Sequence, residues 1–97
     1  MAFRLSQQIQ MSITVEFLGI PRVRAAVAST VVEATTVAEA LQAVGALYPQ
    51  LARDCIDGDA PRTGYLVNIN GLYFTTNPAT KLNPNDAVLF LSADVGG

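Results

Sequence analysis

At 97 residues the chain has room for one domain with a small but real core. Only 14% of residues are charged while 51% are hydrophobic, a surplus that either thickens the core or leaves an apolar face for a partner. The basic residues Arg4, Arg22, Arg24, Arg53, Arg62 and Lys81 are scattered and outnumbered, for a net charge of −2, which argues against nucleic acid as a direct ligand.

Histidine is absent and Cys55 is the single cysteine, so no internal disulfide or Cys/His metal cluster can form, and the commonest general base is missing. No stretch has the length of a transmembrane helix, and Met1-Ala2-Phe3-Arg4-Leu5 lacks the apolar core of a signal peptide. A cytoplasmic location, away from any membrane, is the default expectation. Residues 1–11 read as an N-terminal extension, either an addition ahead of a start at Met11 or an upstream start.

Ser12 to Leu18 alternates, with Ile13, Val15 and Phe17 on one face and Thr14, Glu16 and Leu18 on the other, the pattern of a half-buried strand. Gly19-Ile20-Pro21 breaks it. Ala26 to Glu33, rich in Val and Thr, predicts a second strand paired antiparallel with the first. Thr36-Val37-Ala38-Glu39 fits a capping box, and Val37, Leu41, Val44 and Tyr48 then form one apolar helical stripe that Pro49 terminates. Gly45 inside that helix implies close packing or a weak last turn.

Residues 50–64, with Asp57-Gly58-Asp59-Ala60-Pro61, read as a loop containing at most a short helical turn; the aspartates are better loop residues than metal ligands. Tyr65 to Ile69 predicts a strand with Val67 and Ile69 on one face, and Asn70-Gly71 a two-residue turn into a short return strand, Leu72 to Thr75. Asn83-Pro84-Asn85-Asp86 forms another turn. Ala87 to Ser92 is the last strand, Val88 and Phe90 facing opposite to Leu89 and Leu91. The expected fold is α+β: a mixed β-grasp sheet over 12–93, one main helix packed on one face, and a free tail, 94–97, ending in Gly96-Gly97. Two residues without Cβ make a thin terminus able to thread a narrow channel and present a carboxylate.

In this order the segments resemble the MoaD/ThiS family of ubiquitin-like sulfur carriers. The resemblance covers residues 12–97 and rests on Ile13-Thr14-Val15-Glu16-Phe17-Leu18-Gly19, Pro21-Arg22, Thr36-Val37-Ala38-Glu39-Ala40-Leu41, Val67-Asn68-Ile69-Asn70-Gly71, Lys81-Leu82, Asp86-Ala87-Val88-Leu89-Phe90-Leu91 and Gly96-Gly97. Three departures stand out. Asn85 occupies a position usually Gly, where Asn is the next-best residue for positive φ. The tail reads Ser92-Ala93-Asp94-Val95 instead of Pro with small apolar residues, and the loop after the helix is longer than in the thiamine-type members.

The resemblance implies that the chain is no enzyme by itself and binds no cofactor or metal. A ubiquitin-activating-type adenylyltransferase, using ATP and Mg, would adenylate the Gly97 carboxylate, with Gly96 as spacer. Sulfur would replace AMP to leave a thiocarboxylate, which donates sulfur inside an acceptor such as the large subunit of molybdopterin synthase. Cysteine, tRNA thionucleosides and thiamine thiazole are the other destinations the family serves. By alternation Leu18, Leu89 and Leu91 point away from the helix, and the resemblance adds Tyr73 to them as an apolar docking face. Two rival readings remain: a protein modifier joined to lysines through Gly97, and a plain β-grasp interaction module. Cys55 reads as buried and idle, and Lys81 as structural.

Overall fold

A computed structural model describes residues 11–94. Ten elements follow in order: β1 (Ser12–Leu18), α1 (Ile20–Ala25), β2 (Ser29–Glu33), α2 (Val37–Leu47), α3 (Pro49–Cys55), β3 (Ile56–Asp57), β4 (Ala60–Pro61), β5 (Tyr65–Ile69), β6 (Tyr73–Thr75) and β7 (Ala87–Ser92). Five strands form one sheet in the order β2-β1-β7-β5-β6, and β3 and β4 pair separately. Only the central pair, β1 with β7, is parallel. Parallel neighbours need a long crossover connection, and here it carries the helices that cover one face.

The period-two pattern in β1 is realised: Ile13, Val15 and Phe17 are buried, and the register sets Val15 beside Val88 and Phe17 beside Phe90. Val67 and Ile69 of β5 stand opposite Phe90 and Val88 on that same face. Against them α2 lays Val37, Ala40, Leu41 and Val44, all buried, with Tyr48 packed edge-on to Phe17 at a ring separation of 5.9 Å. Each of the larger side chains so buried contributes about 1.5–3 kcal/mol from removal of its apolar surface from water, and Ala40 less.

The start of α2 differs from an ideal capping box in one contact. Thr36 Oγ1 accepts from the Glu39 N–H at 3.2 Å as expected, but Glu39 Oε1 accepts from the N–H and hydroxyl of Thr35, at 2.7 and 2.8 Å. The Val37 and Ala38 N–H groups donate to the Thr80 and Pro78 carbonyls, so the 78–80 loop completes the cap. Gly45 marks close packing: a Cβ there would lie 3.3 Å from Ala52 Cβ on α3.

The helices other than α2 correct the sequence reading. Gly19, at φ 69°, turns the chain out of β1 straight into α1, with Pro21 in its first turn; a break was expected there. β2 consequently begins at Ser29 and not Ala26, because Ala26 (φ 64°) closes α1 in the left-handed region. Pro49 ends α2 and opens α3, so residues read mostly as loop form a seven-residue helix burying Leu51 and Cys55. After β5, Asn70 and Gly71 both take positive φ as a tight turn requires. Ile69, however, pairs with Tyr73, so the connection has three residues and Leu72 falls outside β6.

Candidate functional site

The sheet face away from the helices follows from the register. Across its middle run Ser29, Glu16, Leu89, Asn68 and Phe74, one from each strand; toward the end of β7, Leu18, Leu91 and Leu66 form a second row. Leu18 is 39% exposed and Phe74 59% exposed, with Leu66 and Leu89 half-buried. These apolar side chains share the face with Glu16 and Asn68 and are the candidates on it for contact with a partner.

Two of the expected docking residues need correction. Leu91 lies on this face but is only 5% exposed, although it is outside the main core cluster. Its neighbours in the row, Leu18 and Leu66, flank it on the central strand, so it supports the face instead of presenting it. Tyr73 lies on the other side. Its partner Ile69 points into the core, and directly opposed residues share a face. A two-residue turn would have set Tyr73 against Asn68 on the outer face; the third residue, Leu72, shifts the register by one and puts Phe74 there. Phe74 was missed for this reason; Leu66 was legible from β5 alone, since Val67 and Ile69 facing the core puts Leu66 on the outer face. A residue opposite Asn68 could be identified only once the turn length was known.

The entry to β7 is fixed by a side-chain network that the sequence reading overlooked. Asn70 Oδ1 accepts from the Ala87 N–H at 2.8 Å, and its Nδ2 donates to Asp86 Oδ1 at 2.9 Å. Asp86 Oδ2 accepts from the Asn83 N–H at 2.8 Å. Asn85, at φ 72°, occupies the left-handed position and donates its N–H to the Ser12 carbonyl at 2.8 Å. Asn there does the work usually done by Gly. These contacts aim β7 along the sheet centre toward the tail.

At the far end, the Ala93 N–H donates to the Gly64 carbonyl at 2.7 Å, anchoring the turn that follows β7. An open depression of about 360 Å³, lined by Ile20, Thr63, Gly64, Tyr65, Ser92, Ala93 and Asp94, surrounds this root. The Ser92 hydroxyl is buried there without a hydrogen-bond partner among the described residues. Asp94 is exposed. Gly96 and Gly97, expected as spacer and reacting residue, lie outside the described residues.

Among the described residues the remaining titratable groups gather into no catalytic set. Cys55 is buried, and burial pushes its thiol pKa up, offset in part by the Tyr65 hydroxyl; a thiol so placed is a poor nucleophile. Asp54 bridges Arg24 at 2.6 Å, joining α3 to α1, and hydrogen bonds from Arg53 and Arg24 hold its carboxyl below the usual range. Asp57 and Asp59 flank the Gly58 turn between β3 and β4, and Lys81 is exposed, bridged to Thr36. Among the described residues no three His, Cys, Asp or Glu side chains gather as a metal site, and no helix is long and apolar enough to cross a membrane.

No protein-family model matches the chain, and no curated protein matches it. Solved structures do. Small archaeal modifier protein 1 from Methanosarcina acetivorans superposes with a TM-score of 0.72 at 20% identity, over 93% of this chain and 100% of that one. Urm1 from Trypanosoma brucei gives 0.68 at 24%, over 88% and 94%. A Pyrococcus furiosus protein described as molybdopterin converting factor subunit 1 gives 0.65 at 17%, over 84% and 97%. The chain therefore has the ubiquitin-like β-grasp fold of the small archaeal modifiers, Urm1 and a MoaD-like subunit, the fold that its resemblance to the MoaD/ThiS sulfur carriers implies.

Proposed function

We propose that the chain is a sulfur carrier, not itself an enzyme, which works through its C-terminal Gly97. The observation that carries this reading is the placement of β7. The central strand delivers the chain out of the sheet at Ser92–Asp94, three residues before Gly97, beside an outer face lined by Leu18, Leu66, Leu89 and Phe74. A partner can grip the face while the tail enters its active site.

The described residues hold nothing that could activate a carboxylate, so activation falls to the partner. A ubiquitin-activating-type adenylyltransferase joins the Gly97 carboxylate to AMP, releasing pyrophosphate from ATP bound with Mg in the partner. AMP is a good leaving group. A protein persulfide displaces it to give an acyl disulfide, and a thiol reductant then cleaves the S–S bond to leave the thiocarboxylate. That group is the sulfur donor for an acceptor enzyme. Among destinations, molybdopterin is the one we propose, with the large subunit of its synthase as acceptor, in line with the MoaD-like neighbour. The cell compartment that fits this work is the cytoplasm.

A second reading has its own support, because other structural neighbours are described as modifiers. The same adenylate, attacked by a lysine amine of another protein, would release AMP and form an isopeptide bond. Both readings share the first step, which ATP–pyrophosphate exchange measures. The full chain should stimulate exchange by a cognate activating enzyme, and a chain lacking Gly97 should not. Equal exchange from the truncated chain would exclude both.

A further inference from the structure

The two edges of the main sheet differ in what they leave unpaired. At one edge β6 spends the backbone groups of Tyr73 and Thr75 on Ile69 and Val67, so Phe74 alone faces outward. The other edge, β2, is longer and unprotected. The Phe17 N–H donates to the Ala28 carbonyl at 2.9 Å, and the Ala34 N–H to that of Met11 at 3.0 Å, so residues 28, 30, 32 and 34 turn their backbone toward β1. By the strand's two-residue period, the N–H and C=O groups of Ser29, Val31 and Glu33 point away from it. Among the described residues none of these groups has a partner. Of the devices that blunt an edge β2 carries only a charge at its end, Glu33: it holds no proline, lysine or bulge, and Val31 at its centre is 64% exposed.

We propose that β2 is the seam of a homodimer, two copies pairing their β2 strands antiparallel about a two-fold axis perpendicular to the sheet. Ser29-Thr30-Val31-Val32-Glu33 is self-complementary in that arrangement. Val31 stands opposite Val31 of the second copy, and each Ser29 hydroxyl stands opposite a Glu33 carboxylate, which can accept from it. No like charges are directly opposed. Three residue pairs then exchange backbone hydrogen bonds, two per pair as in any narrow antiparallel pair. The result is one continuous sheet with both outer faces on the same side. Each β7 is separated from the seam by β1 and β2, so docking faces and tail roots stay open in both copies. The inference therefore stands independently of the carrier reading. A single strand pair is smaller than a standard interface, so association is weak and concentration-dependent.

Sedimentation velocity of the full chain, from micromolar to millimolar concentration, tests this. The native chain should shift from monomer to dimer across that range. Ser29→Lys sets an ammonium against Glu33 of the second copy at two symmetric positions and should tighten the dimer roughly 2- to 30-fold; Ser29→Glu should weaken it by a similar factor. Val31→Pro removes an outward N–H without touching the β1 ladder and should leave monomer with native far-ultraviolet circular dichroism. If Val31→Pro unfolds, the opposite effects of Lys and Glu at position 29 still decide. A monomer at millimolar concentration for both the native chain and Ser29→Lys overturns the proposal, as does a dimer indifferent to the charge at position 29.

Discussion

Two phenylalanines on the same sheet should respond in opposite ways to truncation. Phe90 is 0% exposed at the centre of β7, beside Phe17 on β1 and opposite Val67 on β5, with its ring 6.2 Å from that of Tyr65 in an edge-on arrangement. Phe90→Ala removes a fully buried ring from a site walled by strands on both sides, which leaves little room for collapse. The cost should reach about 3–5 kcal/mol from lost transfer and cavity formation, with up to about 1.5 kcal/mol more from the aromatic pair. A domain of this size has roughly 5–15 kcal/mol in total. The variant should therefore lose at least about a fifth of its stability, and most of it if the domain is marginal, and melt well below the native chain. Phe74 lies on the outer face, largely in water, and Phe74→Ala should change stability by no more than about 0.5 kcal/mol. Urea titrations read by circular dichroism measure both, provided the slopes match that of the native chain. Comparable losses for the two variants, or a larger loss for Phe74→Ala, would mean that the strand register is off by one.

Three further outcomes follow from the same packing. Thr36→Ala should destabilise by about 1 kcal/mol, since it deletes the hydroxyl that caps α2; a loss near zero in urea would mean the 78–80 carbonyls cap the helix alone. Glu39 is held below its ordinary pKa by the Thr35 N–H and hydroxyl, so its contribution is present above the ordinary carboxylate range and lost as pH falls through the lowered value. Glu39→Ala should thus flatten part of the acid limb of stability against pH, and an unchanged limb would refute that contact. Cys55 should resist an aromatic disulfide reagent in the native protein and react at once in denaturant; rapid native reaction would show the thiol to be accessible.

Much of the sheet was legible in the sequence: alternation in Ser12–Leu18 reports which face is wet, while Ala87–Ser92, apolar on both faces until Ser92, reads as a strand without saying how exposed its outer face is. The cap and stripe of α2 were legible for a similar reason, the apolar period matching a helix with one face on the core. What escaped were α1 and α3. Each is shorter than eight residues, too brief for periodicity to register, and each has in its first turn a proline that looks like a break. At the site, the facing of Leu18 and Leu89 followed from alternation. The burial of Leu91 did not, since it depends on the strands beside it, and the facing of Phe74 depended on one extra turn residue.

The central claim is that Gly97 carries sulfur, and intact-protein mass spectrometry tests it most directly. The full chain should be incubated with its activating adenylyltransferase, ATP, Mg and a persulfide donor with reductant. The carrier account predicts a mass gain equal to one sulfur replacing one oxygen, located by fragmentation at Gly97 and abolished in a chain lacking that residue. An unchanged mass for a chain that demonstrably forms the adenylate, or the same gain in the truncated chain, would contradict it.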